Sequence, residues 1–156
     1  MLSHRPAEEA DLPGICRLVG SAQELYYFHP RARFPLTPEQ VRHAMAQSHD
    51  PTVVLMDRRI AGFANFTRVE REGRCALGNV IVASEFRGRG VGRYLIEAML
   101  RLARERYQAA EIETDCPSDN TAGLLLYAKL GFQPTGIEVR YGPDNSRRAL
   151  IRLLRR

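Results

Sequence analysis

The sequence predicts a mixed α/β fold: several antiparallel hairpins and one parallel strand–helix–strand unit. Three observations carry that reading. Apolar, β-branched runs alternate with turns at Asp57-Arg58-Arg59, Glu70–Gly73 and Gly142-Pro143-Asp144-Asn145-Ser146. Tyr94, Leu95, Ala98, Met99, Leu102 and Ala103 recur at helical spacing. Between a strand and that helix stands Arg87-Gly88-Arg89-Gly90-Val91-Gly92, a tight glycine turn.

Taken in order, Leu2–Pro6 is the first strand. Pro6-Ala7-Glu8-Glu9 opens a helix with acidic residues in its first turn, as the dipole prefers. Leu12, Ile15, Leu18 and Val19 form its apolar face. Glu24–Pro30 is an aromatic stretch broken by proline. Thr37 caps a second helix, with Pro38 at its first position, running to about Ser48. Thr52–Met56 and Ile60–Thr67 form a hairpin. Cys75–Ala83 is the strand that enters the glycine turn. Glu111–Thr114 is a short strand. Ser118-Asp119-Asn120-Thr121 starts a helix, and Gly131 ends it. Phe132–Tyr141 and Arg147–Leu154 make a final hairpin. The unit around the glycine turn should be a right-handed crossover.

Composition narrows the function. With 156 residues, 44% apolar and 26% charged, the chain reads as one globular domain spanning 1–156. No apolar run approaches the roughly 20 residues of a membrane span. The N-terminus lacks the apolar stretch of a signal peptide, so a cytoplasmic protein with no membrane partner is expected. Cys16, Cys75 and Cys116 are too scattered for a disulfide framework or zinc, and the four histidines show no ligand spacing; no metal is expected. The net charge is +5, nearly all from arginine, since Lys129 is the only lysine. These arginines are spread along the chain, which speaks against nucleic acid as a partner; Arg87, Arg89 and Arg93 alone cluster, at the glycine turn.

A helix start behind glycines is an anion site, because its first amides are unpaired and the macrodipole is positive there. The residues therefore predict a phosphate-bearing ligand held mainly by main chain. A nucleoside-triphosphatase loop needs Gly-Lys-Ser/Thr, which is missing. A dinucleotide fingerprint needs a third glycine where Arg93 stands, and an opening strand rather than a preceding hairpin set.

Arg-x-x-Gly-x-Gly after an apolar strand resembles the acyl-coenzyme A pyrophosphate motif of the GNAT N-acetyltransferase superfamily. Asn120 through Phe132 resembles the same family's next segment: Asn, a helix, Tyr127, then Gly-Phe. His4–Leu12 resembles its opening strand and helix. The likeness runs along essentially the whole chain. It implies a GNAT fold: a mixed, mostly antiparallel sheet of six to seven strands flanked by about four helices. It also implies acetyl-CoA as cosubstrate, a primary-amine acceptor, direct attack without a covalent enzyme intermediate, and a monomer or homodimer.

Carried over residue by residue, the resemblance makes the backbone of Val80, Ile81 and Val82 a strand edge for pantetheine. Arg87, Gly88, Arg89, Gly90, Val91, Gly92 and Arg93 would hold the pyrophosphate, and Gly90→Val would weaken cofactor binding by crowding the turn. Asn120 would bond the pantetheine arm, unless it serves as an N-cap. Tyr127, seven residues on and near the same helix face, would be the general acid facing the thioester sulfur. Many relatives carry a carboxylate where this chain has Gly78-Asn79. Asn79 can orient an amine or a water but cannot take its proton, so the base would be Glu113, Asp115, Glu24 or a water chain. Glu24, Tyr26, Tyr27, Phe28 and His29 would border the acceptor, either as contacts or as a hydrophobic lid. Cys116 lacks an adjacent base and reads as inert. The rival class is an acyl-CoA sensor that keeps the cleft without turnover.

Overall fold

Seven strands form one sheet in the order β1-β2-β3-β4-β5-β7-β6 in the computed structural model, which describes residues 1–156. β1 (Leu2–Pro6), β2 (His49–Met56), β3 (Arg59–Arg68) and β4 (Arg74–Val82) pair antiparallel in succession. The β2–β3 turn holds Asp57 and Arg58 at φ of 49° and 71°, the two positive values a tight type I′ hairpin requires. β5 (Glu111–Pro117) lies parallel to β4, as the crossover predicted. β6 (Gln133–Tyr141) and β7 (Arg147–Arg155) form the last hairpin, with β7 placed between β5 and β6.

The α-helices number five rather than about four. They are α1 (Leu12–Cys16), α2 (Ala22–Phe28), α3 (Pro38–Ala46), α4 (Val91–Tyr107) and α5 (Thr121–Lys129). The helix expected through Val19 stops at Cys16, although Leu18 and Val19 stay buried. The aromatic stretch is itself helical. Ser21 Oγ accepts from the Glu24 amide at 3.1 Å, and Leu25 and Phe28 turn inward. Pro30 lies just beyond its end, where a proline is tolerated. Thr37 caps α3 as expected, at 3.4 Å from the Gln40 amide.

The helices cover both faces of the sheet. A Cβ on Gly62 would stand 3.3 Å from Leu95 and 3.6 Å from Val91, so this face of β3 lies against α4. Phe63, the next residue, meets Phe28 of α2 edge-on at 5.8 Å on the opposite face. Side chains alternate along a strand, so each face of β3 feeds a different helix layer. α4 buries Leu95, Ile96, Met99, Leu100 and Ala103. Each large side chain fully buried in this way is worth about 1.5–3 kcal/mol. The core thus sits over the middle strands, while β6 leaves Ile137, Val139 and Tyr141 exposed. No helix is long and apolar enough to cross a membrane.

Candidate functional site

The parallel pairing of β4 and β5 stops early. Arg74, Cys75 and Ala76 pair with Glu111, Ile112 and Glu113, and no residue beyond them does. Thr114 Oγ1 donates to the Leu77 carbonyl at 3.0 Å, pinning the point where the strands part. Past it, β4 is bonded to β3 on one side only, through Phe63↔Ile81 and Gly62↔Val82. The backbone edge of Val80–Val82 that would meet β5 therefore has no strand on it, with only the Val82 carbonyl engaged by the Arg87 guanidinium at 3.3 Å, and is a template for an extended ligand. Between Gly78 and Ile81 the register to β3 slips, and Asn79 takes φ +45°. That is a β-bulge at the fork, a device that re-aims a strand beside a functional site.

The glycine turn closes the far end of the fork. Gly88 and Gly90 have φ of +78° and +80°. Gly90 begins α4 without a side-chain cap. The first amide of this stretch with an acceptor is Tyr94 N, bonded to Gly90 O at 3.0 Å; the amides of Gly88 through Arg93 have none. A row of free N–H groups at the positive end of a long helix is an anion cradle. Arg87 differs, because its amide donates to Ser84 O at 3.3 Å. Its guanidinium pairs with Glu24 at 3.2 Å. Arg93 pairs with Glu97 at 2.7 Å, and Arg89 stacks over the Phe86 ring at 5.9 Å.

A Cβ on Gly90 would meet nothing within 4 Å. Crowding is therefore not how a substitution would act there; the left-handed φ is. Gly90→Val is expected to cost about 1–2 kcal/mol of local strain and to weaken coenzyme A binding about tenfold, read by calorimetric titration. Unaltered affinity would remove the turn from the ligand site.

Asn120 and Tyr127 flank the fork on the α4 side. Asn120 Oδ1 accepts from the Gly123 amide at 3.1 Å, so it is the N-cap of α5, while its Nδ2 donates to no protein group. Tyr127 is 6% exposed and packs edge-on against Phe132 at 5.4 Å. Burial raises its pKa, with nearby Cys116 adding and a Thr114 hydrogen bond opposing. It is thus a neutral hydroxyl across the working pH range. Cys116 is buried, and desolvation pushes its thiol up to about 12. A thiol that stays protonated is no nucleophile, in keeping with its inert reading.

On the opposite, α2 side stand the groups expected to meet an acceptor. The period of two puts Glu111, Glu113 and Asp115 on this face. Glu113 is ion-paired to Arg68 and, at 3.5 Å, to Arg74. Glu24 is held by Arg87 and by the Gly20 amide at 2.7 Å. Both carboxylates are occupied, which disfavours either as a base. Asp115 has no such partner. It is open to solvent at its rim, yet the surrounding strands desolvate it. Its pKa is raised by that burial, against the pull of Arg140 and Arg152, with Glu138 and Glu113 adding. Asn79 Nδ2 donates to the Phe28 carbonyl at 2.9 Å, so it ties α2 to the bulge. A Cβ on Gly78 would lie 2.5 Å from Thr67 Cγ2, so any side chain at that position would have to displace the Thr67 methyl.

The aromatic residues divide. Phe28 belongs to the core against Phe63. Tyr26 is buried, and Arg148 lies over its ring at 4.9 Å. Tyr27 Oη accepts from Gln23 at 2.8 Å and donates to Asp119 O at 3.4 Å. His29 is half-buried, with its pKa lowered first by burial and then by Arg31 and His43, so it is neutral. A polar cavity of about 270 Å³ opens on this face, lined by Thr67, Arg68, Glu113, Thr114, Asp115 and Arg152. Arg140 and Thr114 are the contributors that residue-by-residue reading missed. Both owe their position to strand register, which no local motif announces.

Comparisons with known proteins bear on the family and the fold. Residues 19–132 match the family described as "Acetyltransferase (GNAT) family". The chain is 30% identical over 110 residues to the N-alpha-acetyltransferase RimI of Mycobacterium tuberculosis, covering 69% of this chain and 67% of that one. It is 30% identical over 136 residues to a mycothiol acetyltransferase of an Arthrobacter species, covering 80% of this chain but 41% of that protein. It spans 64% and 67% of the two curated alanine- and N-alpha-acetyltransferases it matches first. A solved GCN5-related N-acetyltransferase from Kribbella flavida superposes with a TM-score of 0.76 at 30% identity, over 99% of this chain and 96% of that one.

Proposed function

Because the chain belongs to the GNAT family of acetyltransferases, we propose that it moves an acetyl group from acetyl-CoA to a primary amine by direct attack. Residues 1–156 act as one catalytic domain, with a single buried cluster of 30 residues running through the sheet. The observation that carries the reading is the row of unpaired amides from Gly88 to Arg93, set beside the open edge of β4. A diphosphate satisfies the first, and an amide-bearing pantetheine arm satisfies the second as an added strand would.

Each residue then has a task. The backbone of Val80–Val82 aligns the pantetheine arm, and Asn120 Nδ2 is free to donate to it. The acceptor nitrogen attacks the acetyl carbonyl carbon; a C–N bond forms and the C–S bond breaks. Negative charge develops on sulfur, whose thiol has an ordinary pKa of about 8.5. Tyr127 Oη donates a hydrogen bond to that sulfur. The proton lost by the nitrogen passes to Asp115, and from there to solvent. Asn79 contributes by holding α2 and the bulge in place, not by moving a proton. Arg89 and Arg93 lie beside the phosphate site as exposed cations.

Steady-state thiol release with acetyl-CoA and a panel of amines tests this. Amine-dependent release is the expected result. A protein that binds coenzyme A but never releases thiol in response to any amine is a sensor and not a transferase.

A further inference from the structure

One polar group on the acceptor face has no partner in the protein. Tyr26 is 4% exposed, and its hydroxyl is buried without a hydrogen bond. An unsatisfied buried hydroxyl is costly, so in a cleft it marks a place where a ligand atom belongs. Three arginines project from β6 and β7 on the same face. Arg148 lies over the Tyr26 ring and is paired with Asp119 at 3.2 Å and Asp144 at 3.3 Å. Arg152 is paired with Glu138 at 2.6 Å. Arg140, the cross-strand neighbour of Arg148, is half-buried and has no carboxylate and no hydrogen-bond acceptor. Its strand partner Arg148 covers the Tyr26 ring, and Arg152, further along β7, pairs across to Asp115, so Arg140 shares the face on which both groups lie. Its charge also favours the ionised form of each.

An unpaired guanidinium and an unpartnered hydroxyl on one face suit a planar anion with two oxygens. Asp115, on the same face, suits a cation. We propose that the acceptor carries its own carboxylate, held by Arg140 and Tyr26 Oη while Asp115 faces its amine, so that the substrate class is a free amino acid or a close analogue. This rests on the acetyl-transfer reading and sharpens it. A polyamine would meet Arg140 as a like charge. An amidated peptide would leave Arg140 and Tyr26 unmatched. Occupation of Arg140 by an anion also removes its pull on Asp115, which makes that carboxylate a better proton acceptor once the substrate is bound.

The test uses amines matched except for the carboxylate: L-leucine against 3-methylbutylamine and leucinamide, and L-phenylalanine against phenethylamine and phenylalaninamide. The carboxylated member is expected to have a kcat/KM at least about tenfold higher, as one charge-assisted contact implies. R140Q and Y26F are expected to collapse that ratio toward unity, while coenzyme A affinity stays at the wild-type value. Equal kcat/KM within each set, or a preference that survives R140Q, overturns the proposal. If no amine is acetylated, the transfer reading fails separately, and calorimetry of the same pairs on the coenzyme A-saturated protein still decides. Binding of the carboxylated member that R140Q abolishes supports the anion site; no difference between members overturns it.

Discussion

Tyr127→Phe is expected to lower kcat about a hundredfold while leaving coenzyme A affinity within about twofold, since a positioned proton or hydrogen-bond donor contributes roughly 10²–10⁴. The substitution removes one oxygen and keeps the ring against Phe132, so the fold should persist. Burial keeps the hydroxyl protonated above the ordinary tyrosine pKa of about 10. Two consequences follow from that sign. Tyr127 is a donor throughout the assay range, and no alkaline limb below pH 10 belongs to it. Wild type and Tyr127→Phe should therefore have pH–kcat profiles of the same shape and different height. Steady-state kinetics from pH 6 to 10 would check this; an unchanged kcat would remove Tyr127 from the chemistry.

Asp115→Asn should be comparably damaging, again about a hundredfold in kcat/KM. Asn keeps the shape and loses the ability to take a proton. Asp115 has its pKa raised chiefly by burial, so the acid limb of kcat/KM should lie above the ordinary carboxylate value of about 3.9. Activity falls as pH drops through that raised pKa, because the base becomes protonated. In Asp115→Asn this limb should vanish. Stability gives an independent control with a defined sign. A carboxylate whose pKa is raised on folding adds stability only while protonated, and loses that contribution as pH rises through its folded pKa. At neutral pH the variant should thus melt no lower than wild type. A strong activity loss with an intact melting temperature fits a base; a lowered melting temperature would mean that Asp115 is structural. Glu113→Gln, by contrast, should keep the acid limb but move it slightly lower, because it removes a negative charge that helps to raise the Asp115 pKa and frees Arg68 and Arg74.

Much of this arrangement is local and was readable as such. The glycine turn, the start of α4, the Asn120 cap and the strands on either side are set by neighbouring residues, through φ freedom, unpaired amides and side-chain periodicity. The alternation of Glu111, Glu113 and Asp115 likewise puts them on one face of a short strand. The α2 helix was less legible, because an aromatic run followed by proline has no decisive period over seven residues.

Choosing among the three candidate carboxylates was beyond the chain's local pattern. Glu24 is ion-paired with Arg87, distant in sequence, and Glu113 with arginines of β3 and β4, while Asp115 has no ion pair. The parting of β4 from β5, and the placing of Arg148 over Tyr26, are set by strand register between segments far apart along the chain. What the sequence by itself determined was which backbone can cradle an anion, because that is a property of a few adjacent residues. Which side chains are free to act on the bound substrates was decided only by tertiary structure, because freedom of a charge depends on every partner that folding brings within reach.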